Sequence, residues 1–283
     1  MTEMFIWKNT ESSSRKREEE MKLEVIKADP AGNITLFVMT PVDPEKRAGI
    51  AERLMGMKEF AAEQVGYRCD PAAGYDGHMI MSGGEFCGNA SRAYGMLMAQ
   101  EKGIRGRAHL VLDVSGSDVP VEVDVDTEAG TARAKMPLPK MVKRMEAGGQ
   151  AGILVHLGGI AHFVVDGMTP SEDYLKAVEE EIMSGLDGLD AYGVMFFDST
   201  SGKLTPLVKV PAANSLFWEG SCGSGSLATT IALTADLPDG VYEKDMIQPA
   251  GVVHVTAERK NGVFSAAYIG GSVTIDPPAE VEI

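Results

Sequence analysis

The sequence predicts an α+β fold of two pseudo-symmetric halves, each a curved, mostly antiparallel sheet or barrel wrapped around one central helix. The first observation behind this prediction is a repeated motif, in which a cysteine among glycines precedes a run of helix-forming residues. The motif occurs as EFCGNAS around Cys87 and as GSCGSGS around Cys222. The second observation is that the patterns around both motifs share one order: strand, helix, strands, cysteine, helix, strands.

The first half starts with a strand pattern after Met21. Alternating apolar residues mark its strands, and apolar spacings of three and four mark its helices. Pro44 stands in the first turn of a long helical pattern, a position that suits proline. The predicted elements are strands at 22–28 and 34–40, a helix at 44–64, strands at 65–68 and 78–81, a central helix at 91–100, and strands at 107–114, 119–126 and 131–136.

The second half repeats this order after a segment at 137–150 that contains proline and glycine, which we interpret as the boundary. Its predicted elements are strands within 153–165, a helix at 170–184, strands at 192–198, 204–210 and 215–218, a second central helix after Cys222, and strands at 252–258, 263–268 and 271–275. The expected organisation is a disordered tail at 1–20, a first half at 21–140 completed by a C-terminal strand at 271–283, and a second half at 141–270.

Composition argues against several classes of partner. The formal net charge is −15, so neither nucleic acid nor an anionic membrane is expected to bind. No apolar run approaches the ~18 residues that span a bilayer, and residues 1–20 lack the apolar core of a signal peptide. Three cysteines without a short-spaced framework indicate free thiols in a reducing compartment. We expect a cytoplasmic protein, and a homodimer stays open.

Each motif cysteine is predicted to stand at the N-terminus of a helix. Main-chain N–H groups in the first helical turn have no partner within the helix, so they favour negative charge in front of them. Such a position is expected to lower the pKa of a thiol and to offer a cradle for a ligand carboxylate. Cys69 lacks the glycine context of the other two cysteines, and we interpret it as structural.

Two halves that face each other would aim the thiols of Cys87 and Cys222 into one cleft. One thiolate can then remove a proton from a tetrahedral carbon while the opposite thiol protonates the other face, which inverts the carbon. The helix N-termini would hold the negative charge that develops on a substrate carboxylate. The sequence has no dinucleotide fingerprint, phosphate loop or Schiff-base lysine motif, and two cysteines make a poor metal set. No cofactor and no metal are expected.

The pair EFCGNA and SCGSGS, together with the early turn PAGN, resembles the cofactor-independent amino-acid racemase and epimerase family that includes diaminopimelate epimerase and proline racemase. The likeness runs from about Met21 to the C terminus. The phrases PAGN, EQVGY, MSGGEFCGNA and WEGSCGSGS are most similar to the branch of histidine racemases that feed opine-type metallophore synthesis. This resemblance implies a diaminopimelate epimerase-like fold, a small amino-acid substrate, and Cys87 and Cys222 as the acid/base pair.

The resemblance also implies which residues bind the substrate. The residues that match family positions holding the α-amino and α-carboxylate groups are Asn33, Gly88, Asn89, Gly223 and Ser224, and Glu219 matches an acid that contacts the α-ammonium. His78 and His162 fall near the proposed cleft, where either could meet an imidazole. A histidine near a strand end is, however, more often packed or solvated.

Two departures from the family pattern bear on the substrate. Only Gly220 and Ser221 separate Glu219 from Cys222, where diaminopimelate epimerases have a longer loop with an arginine, and the asparagines that hold the distal end of diaminopimelate are replaced. Histidine is therefore the favoured substrate. Diaminopimelate epimerase, another amino-acid racemase, an isomerase that moves a double bond, and a non-catalytic small-molecule binding protein on the same fold stay open, although the presence of both cysteines favours catalysis.

A reaction carried by two thiols should need neither metal nor a carbonyl cofactor. Dialysis against a chelator, followed by treatment with a carbonyl-trapping reagent, is expected to leave full activity. Loss of the α-proton from single L-amino acids in D₂O, followed by NMR, measures this. A fall in rate after either treatment would contradict the prediction.

Overall fold

The computed structural model describes residues 21–283 except Asp187 and 212–214. The tail predicted at 1–20 lies outside the described residues. The described part is mostly sheet, with four helices. They are α1 (Pro44–Met55), α2 (Gly88–Glu101), α3 (Glu172–Met183) and α4 (Gly223–Thr234).

The strands of the described part are numbered in chain order. They are β1 (Lys22–Asp29), β2 (Thr35–Val38), β3 (Gln64–Cys69), β4 (Gly77–Met81), β5 (Arg107–Val114), β6 (Val121–Asp126), β7 (Thr131–Lys135), β8 (Met141–Ala147), β9 (Gln150–His156), β10 (Ile160–Asp166), β11 (Ala191–Asp198), β12 (Lys203–Val210), β13 (Ser215–Trp218), β14 (Gly240–Ile247), β15 (Val252–Lys260), β16 (Val263–Ser272), β17 (Thr274–Ile275) and β18 (Ala279–Glu282).

The strands before β8 form a continuous run of pairings. Strand β1 pairs with β2 on one side and with the C-terminal β17 and β18 on the other. Strands β2 and β3 are parallel with α1 as their crossover, and β4 and β5 are parallel with α2 as theirs. Strands β5, β6 and β7 form the antiparallel meander that the alternating pattern predicts.

The later strands repeat these pairings. Strands β10 and β11 are parallel with α3 as their crossover, and β12 and β14 are parallel where Lys203 faces Ile247. Strands β14, β15 and β16 form a second antiparallel meander. Strand β16 also pairs with β7, so the two meanders join edge to edge.

Helices α2 and α4 are buried on nearly every side, whereas α1 lies against the sheet through one face. Every residue of α2 from Gly88 to Ala99 is buried, and α4 is buried almost throughout. Helix α1 buries only Ile50, Ala51 and Leu54. A helix without a solvent face does not need an amphipathic pattern. The apolar meanders and the glycines of both helices let the strands approach closely.

Helix α1 ends well before the predicted position 64. The N–H of Gly56 closes the helix by bonding to the carbonyls of Glu52 and Leu54. Met57 and Phe60 follow in turns and still pack against the core cluster that contains Leu54. Their apolar spacing is therefore satisfied without helical structure, which is why periodicity alone overextended the helix.

Two strands were not predicted: β8 and β14. Strand β8 occupies part of the segment 137–150 that was interpreted as a boundary. Most residues of β8 and β14 are exposed or half-buried, so neither strand shows the apolar alternation by which a half-buried strand is recognised.

Gly95 on α2 tests the close approach of helix and sheet. A Cβ at Gly95 would lie 2.6 Å from Cγ1 of the buried Val123. Because a strand valine has little rotamer freedom, we expect Gly95→Ala to lower the free energy of unfolding by about 1–3 kcal/mol. Gly49, on exposed α1, has open space around its Cα, and Gly49→Ala should stabilise by about 0.5–1 kcal/mol. Urea unfolding measures both, and stabilisation by Gly95→Ala would contradict the packing.

Candidate active site

Cys87 and Cys222 are the N-cap residues of α2 and α4. Cys87 has φ −128° and ψ 111°, and its Sγ accepts the N–H of Ala90 at 3.4 Å. Cys222 has φ −104° and ψ 108°, and its Sγ accepts the N–H of Gly225 at 3.3 Å. Each sulfur thus bonds an N–H group that has no partner inside the helix. The repeated motif folds into the same local geometry twice.

The two helix N-termini meet at one buried side chain, Ile269. A Cβ on Gly88 would lie 2.8 Å from Cδ1 of Ile269, and a Cβ on Gly223 would lie 2.6 Å from the same atom. A Cβ at either position would displace the end of the Ile269 side chain, so glycine suits this close approach. Asn89 Nδ2 donates to the carbonyl of Ser221 at 3.3 Å and ties the two helix starts together.

Burial raises the pKa of both thiols. For Cys222 the pKa rises to about 12, first through burial and then through the negative charge of Glu219, while the Ser224 hydroxyl opposes the shift. For Cys87 burial again dominates, and the N–H of Ala90 opposes it. The helix N-termini therefore act in the expected direction, but the expectation that they lower the thiol pKa overall is wrong, because desolvation outweighs them.

Asn33 lies beside Cys87, together with two residues to which the sequence assigned no role. The Cys87 thiol donates to Oδ1 of Asn33 across 3.9 Å, and Gln64 Nε2 donates to the same oxygen at 2.9 Å. Asn33 Nδ2 donates to Glu63 at 2.8 Å. The parallel pairing of Thr35 with Gln64 creates this cluster. The segment EQVGY was noted in the sequence, but only this strand pairing shows that it lies next to Cys87.

Glu63 and Glu219 form an acidic pair next to this cluster. The pKa of Glu219 rises to about 7, mainly because of burial and then because of the charge on Glu63. The pKa of Glu63 is also raised, first by burial. Glu63 Oε1 would lie 3.2 Å from a Cβ on Gly220, so it contacts the segment between Glu219 and Cys222. A buried carboxyl whose ionisation is opposed by a neighbouring carboxylate favours a cation beside it.

His162 is fully buried behind Ser224. Its Nε2 lies 2.9 Å from Ser224 Oγ, and Ser224 Oγ lies 3.5 Å from Cys222 Sγ. Burial lowers the pKa of His162 to about 3, so the ring is neutral. Among the described residues its Nδ1 has no partner. The structure therefore places His162 as a support for Ser224.

The other residues named from the sequence occupy more peripheral positions. His78 stands on β4, where its Nδ1 lies 3.3 Å from the Asp70 carbonyl and its Nε2 lies 3.7 Å from Asp113. Cys69 ends β3, and its Sγ accepts a bond from Arg47 at 3.5 Å. Its half-buried place at a strand end suits a structural cysteine.

Gln248 is a further site residue that the sequence analysis did not single out. Its Oε1 accepts the main-chain N–H of Cys222 at 2.7 Å, and its Nε2 donates to Ser226 Oγ at 2.8 Å. The side chain therefore holds the N-cap of α4 in place. Gln248 begins the phrase QPAG, which repeats part of the earlier DPAGN, and that repeat is a signal that could have found it.

The two PAG turns interlock. A Cβ on Gly32 would lie 2.3 Å from the Ala250 Cβ, and a Cβ on Gly251 would lie 2.4 Å from the Ala31 carbonyl oxygen. The N–H of Ala250 also donates to the carbonyl of Gly220 at 2.9 Å. The turn that carries Asn33 is thereby fixed to the segment before the second cysteine, although the two are far apart in sequence.

Solved structures of two other proteins have a similar fold. A PhzF-family phenazine biosynthesis protein of Bacillus anthracis superposes with a TM-score of 0.69 at 13% identity, covering 93% of this chain and 100% of that one. A hydroxyproline epimerase from Agrobacterium vitis, with bound trans-4-hydroxy-L-proline, superposes with a TM-score of 0.62 at 13% identity, covering 93% of each chain. Both superpositions show that this chain shares its fold with these two proteins.

The chain belongs to the histidine racemase family, because the model of the histidine racemase CntK N-terminal domain matches residues 22–280. A histidine racemase of Fusobacterium nucleatum subsp. nucleatum is 29% identical over 270 residues, which cover 92% of this chain and 97% of that protein.

Two kinds of feature are absent from the described residues. No described helix is long and apolar enough to cross a membrane. In the same part of the chain, no group of three or more His, Cys, Asp or Glu side chains is arranged to hold a metal ion.

The raised pKa of Glu219 predicts a pH-dependent stability. Its carboxyl titrates near pH 7 in the fold against an ordinary value of 4.5. Across that window the unfolded chain loses its proton first, so wild-type stability falls as pH rises, by about 2 kcal/mol after screening by solvent. Glu219→Gln should therefore raise the melting temperature more at pH 8 than at pH 5.

Thermal melts of both proteins at the two pH values measure this difference. Glu63→Gln serves as the comparison. Without the charge on Glu63 the pKa of Glu219 should be raised less, so the melting temperature should depend less strongly on pH but should still depend on it. An equal effect of Glu219→Gln at both pH values would show that Glu219 is not desolvated.

Proposed function

We propose that the protein racemises histidine by a two-base proton transfer between Cys87 and Cys222, without a cofactor. Family membership and the name of the Fusobacterium relative support histidine as the substrate. The observation that carries the mechanism is the pair of cysteine N-caps whose helices meet at Ile269. A protein that only binds its ligand would not need a thiol at each of these positions.

In the proposed reaction the α-carbon of histidine lies between the two sulfurs. One cysteine, as thiolate, takes the α-proton, and the C–H electron pair stays on the carbon as a carbanion delocalised into the carboxylate. The opposite cysteine, as thiol, donates its proton to the other face. The enantiomer forms, the two cysteines have exchanged protonation states, and no oxidant or reductant is consumed.

The carboxylate of the substrate faces the first turns of α2 and α4. The N–H groups of Gly88, Asn89, Gly223 and Ser224 are the donors that we propose to hold it, because these positions follow the two N-caps directly. Preorganised donors stabilise negative charge most where water is excluded, which is where the charge of the carbanion accumulates.

The α-ammonium is proposed to lie against Glu219, with Asn33 and Glu63 close by. The acidic pair attracts a cation. Among the described residues, no cationic side chain acts on the pKa of either carboxyl. A cation bound beside Cys222 would also favour the thiolate over the thiol, since it offsets the desolvation that raises the pKa. Binding of the substrate would thus help to create the base.

The imidazole of the substrate was expected to meet His78 or His162. Of the two histidines predicted to meet it, His162 contacts Ser224 and supports the carboxylate site from behind. His78 stays a prediction, with Asp70 and Asp113 as its described neighbours. Glu63 offers an acceptor for an imidazole N–H.

We also propose the organisation expected from the sequence, with halves at 21–140 and 141–270 and with 271–283 completing the first. The start of β8 at Met141 and the pairing of β1 with β17 and β18 support this division. The burial of α2 and α4 supports a central helix in each half. A cytoplasmic location and a homodimer stay predictions, the first supported by three free cysteines in the described residues.

Replacing either motif cysteine by serine should abolish racemisation. A serine hydroxyl is far too weak an acid to supply an alkoxide at neutral pH, so the rate should fall by at least about a thousandfold. Each single variant should still exchange the α-proton of one enantiomer through its surviving thiolate. Polarimetry follows racemisation, and NMR in D₂O follows exchange.

Cys69→Ser is the matched control and should keep the wild-type rate, because Cys69 contacts Arg47 outside the proposed site. If Cys87→Ala or Cys222→Ala racemised both enantiomers near the wild-type rate, the two-base mechanism would be wrong.

A further inference from the structure

Arg92 is a fully buried cation on α2 to which the proposed reaction gives no role. Its Nε donates to Asn89 Oδ1 at 3.2 Å, and its Nη1 donates to the Ser272 carbonyl at 3.0 Å. Its Nη2 donates to the Pro30 carbonyl at 2.6 Å. All three acceptors are neutral oxygens. A buried charge whose hydrogen-bond acceptors are all neutral is costly, so a structural role alone explains this guanidinium poorly.

The three acceptors of Arg92 belong to three segments around the cysteines. Pro30 lies in the turn that carries Asn33. Ser272 ends β16, the strand whose Ile269 lies beneath both helix N-termini. Asn89 lies in the first turn of α2. One planar group therefore joins the parts of the chain that determine where the site is built.

The bond to Asn89 fixes the orientation of its amide. Oδ1 faces the guanidinium, which has only donors, so the opposite orientation would place two donors against each other. Nδ2 is then directed to the carbonyl of Ser221, the residue before Cys222. A continuous path of hydrogen bonds runs from Arg92 through Asn89 to the main chain beside the second cysteine.

Arg92 keeps its charge inside the fold. Burial lowers its pKa to about 10, and the nearby Cys87 and Asp29 oppose this shift. A Cβ on Gly271 would lie 3.6 Å from Nη1, so the main chain there lies against the guanidinium without a side chain between. The fork fits its three acceptors as a planar group, which a lysine could not reproduce.

We propose that Arg92 is a positioning residue that sets the spacing of the two thiols by locking the Asn89 amide between α2 and Ser221. This inference rests on the proposed two-base function. Inversion requires both thiols to be aligned on one carbon, whereas exchange at one face requires only one thiol. Small misplacements of reacting groups are costly in rate, so loss of Arg92 should impair inversion more than exchange.

The experiment compares the two processes in one sample. Arg92→Gln is incubated with L-histidine in D₂O, and deuterium in the remaining L enantiomer is measured against D-histidine formed. The ratio of exchange to inversion should rise at least about tenfold over the wild type. Arg92→Lys keeps the charge but loses the fork, and it should shift the ratio in the same direction by less.

Arg259→Gln is the matched control. Its guanidinium also donates to main-chain carbonyls, those of Thr234, Leu237 and Gly262, at the far end of α4. This variant should melt at a lower temperature and keep the wild-type ratio. An unchanged ratio in Arg92→Gln, with exchange and inversion falling together, would overturn the proposal. If Arg92→Gln does not fold, the ratio of Arg92→Lys decides in the same way.

A second measurement does not depend on racemase activity. In a Cys69→Ser background, a short bifunctional thiol reagent should crosslink Cys87 to Cys222, and Arg92→Gln should lower the crosslinking rate several-fold relative to Arg259→Gln. Equal rates would overturn the proposed spacing role. A wild type that neither exchanges nor inverts L-histidine would refute the proposed function, and crosslinking would still test the role of Arg92.

Discussion

The N-termini of α2 and α4 lie close together, and the strand order, the edge pairing of the sheets and the burial of both helices are all linked to this contact. Helices α2 and α4 both begin over Ile269, and a Cβ at Gly88 or Gly223 would displace the end of its side chain. Each helix is a crossover between parallel strands, so the strand order determines where its first turn lies. The edge pairing of β7 with β16 then brings the two crossovers to one place. The burial of both helices follows from this enclosure by sheet.

Desolvation explains the chemistry of the site better than the helix N-termini do. Burial raises the pKa of Cys87, Cys222 and Glu219 and lowers that of His162. Every one of these groups is thereby shifted toward its neutral form. A site with this property holds little charge until a charged ligand offsets the cost of burial. The acidic pair and the free N–H groups of the helices are suited to an ammonium and a carboxylate respectively.

The two cysteine motifs share their N-cap geometry but differ in the residues around the thiol. Cys87 has the Asn33 amide beside it and the buried charge of Arg92 close to it. Cys222 has the Ser224 hydroxyl, supported by His162. An amino acid has different groups on its α-carbon, so a site that binds it cannot be fully symmetric. The repeated element is the thiol at a helix N-terminus. The residues that surround the thiol differ between the two motifs.

The sequence correctly predicted the elements whose own residues show a recognisable local pattern. Alternation predicted the bounds of β5 without error, and glycine-flanked cysteines predicted two N-caps, because these patterns depend on neighbours along the chain. Strands β8 and β14 were not predicted, because most of their side chains are not buried and they lack an alternating apolar pattern. The end of α1 was predicted too late in the chain, because Met57 and Phe60 pack against the core although they lie in turns.

The contacts of the site could be decided only by tertiary structure. Glu63 joins Asn33 through a parallel strand pairing, and Arg92 bonds to Ser272, which is 180 positions away in the sequence. The thiol pKa values depend on how much water the fold excludes, and the sequence gives no measure of that. The sequence therefore identified the residues that could react. Which neighbours these residues meet, and in which charge state, depends on burial and long-range pairing, and both arise only in the folded chain.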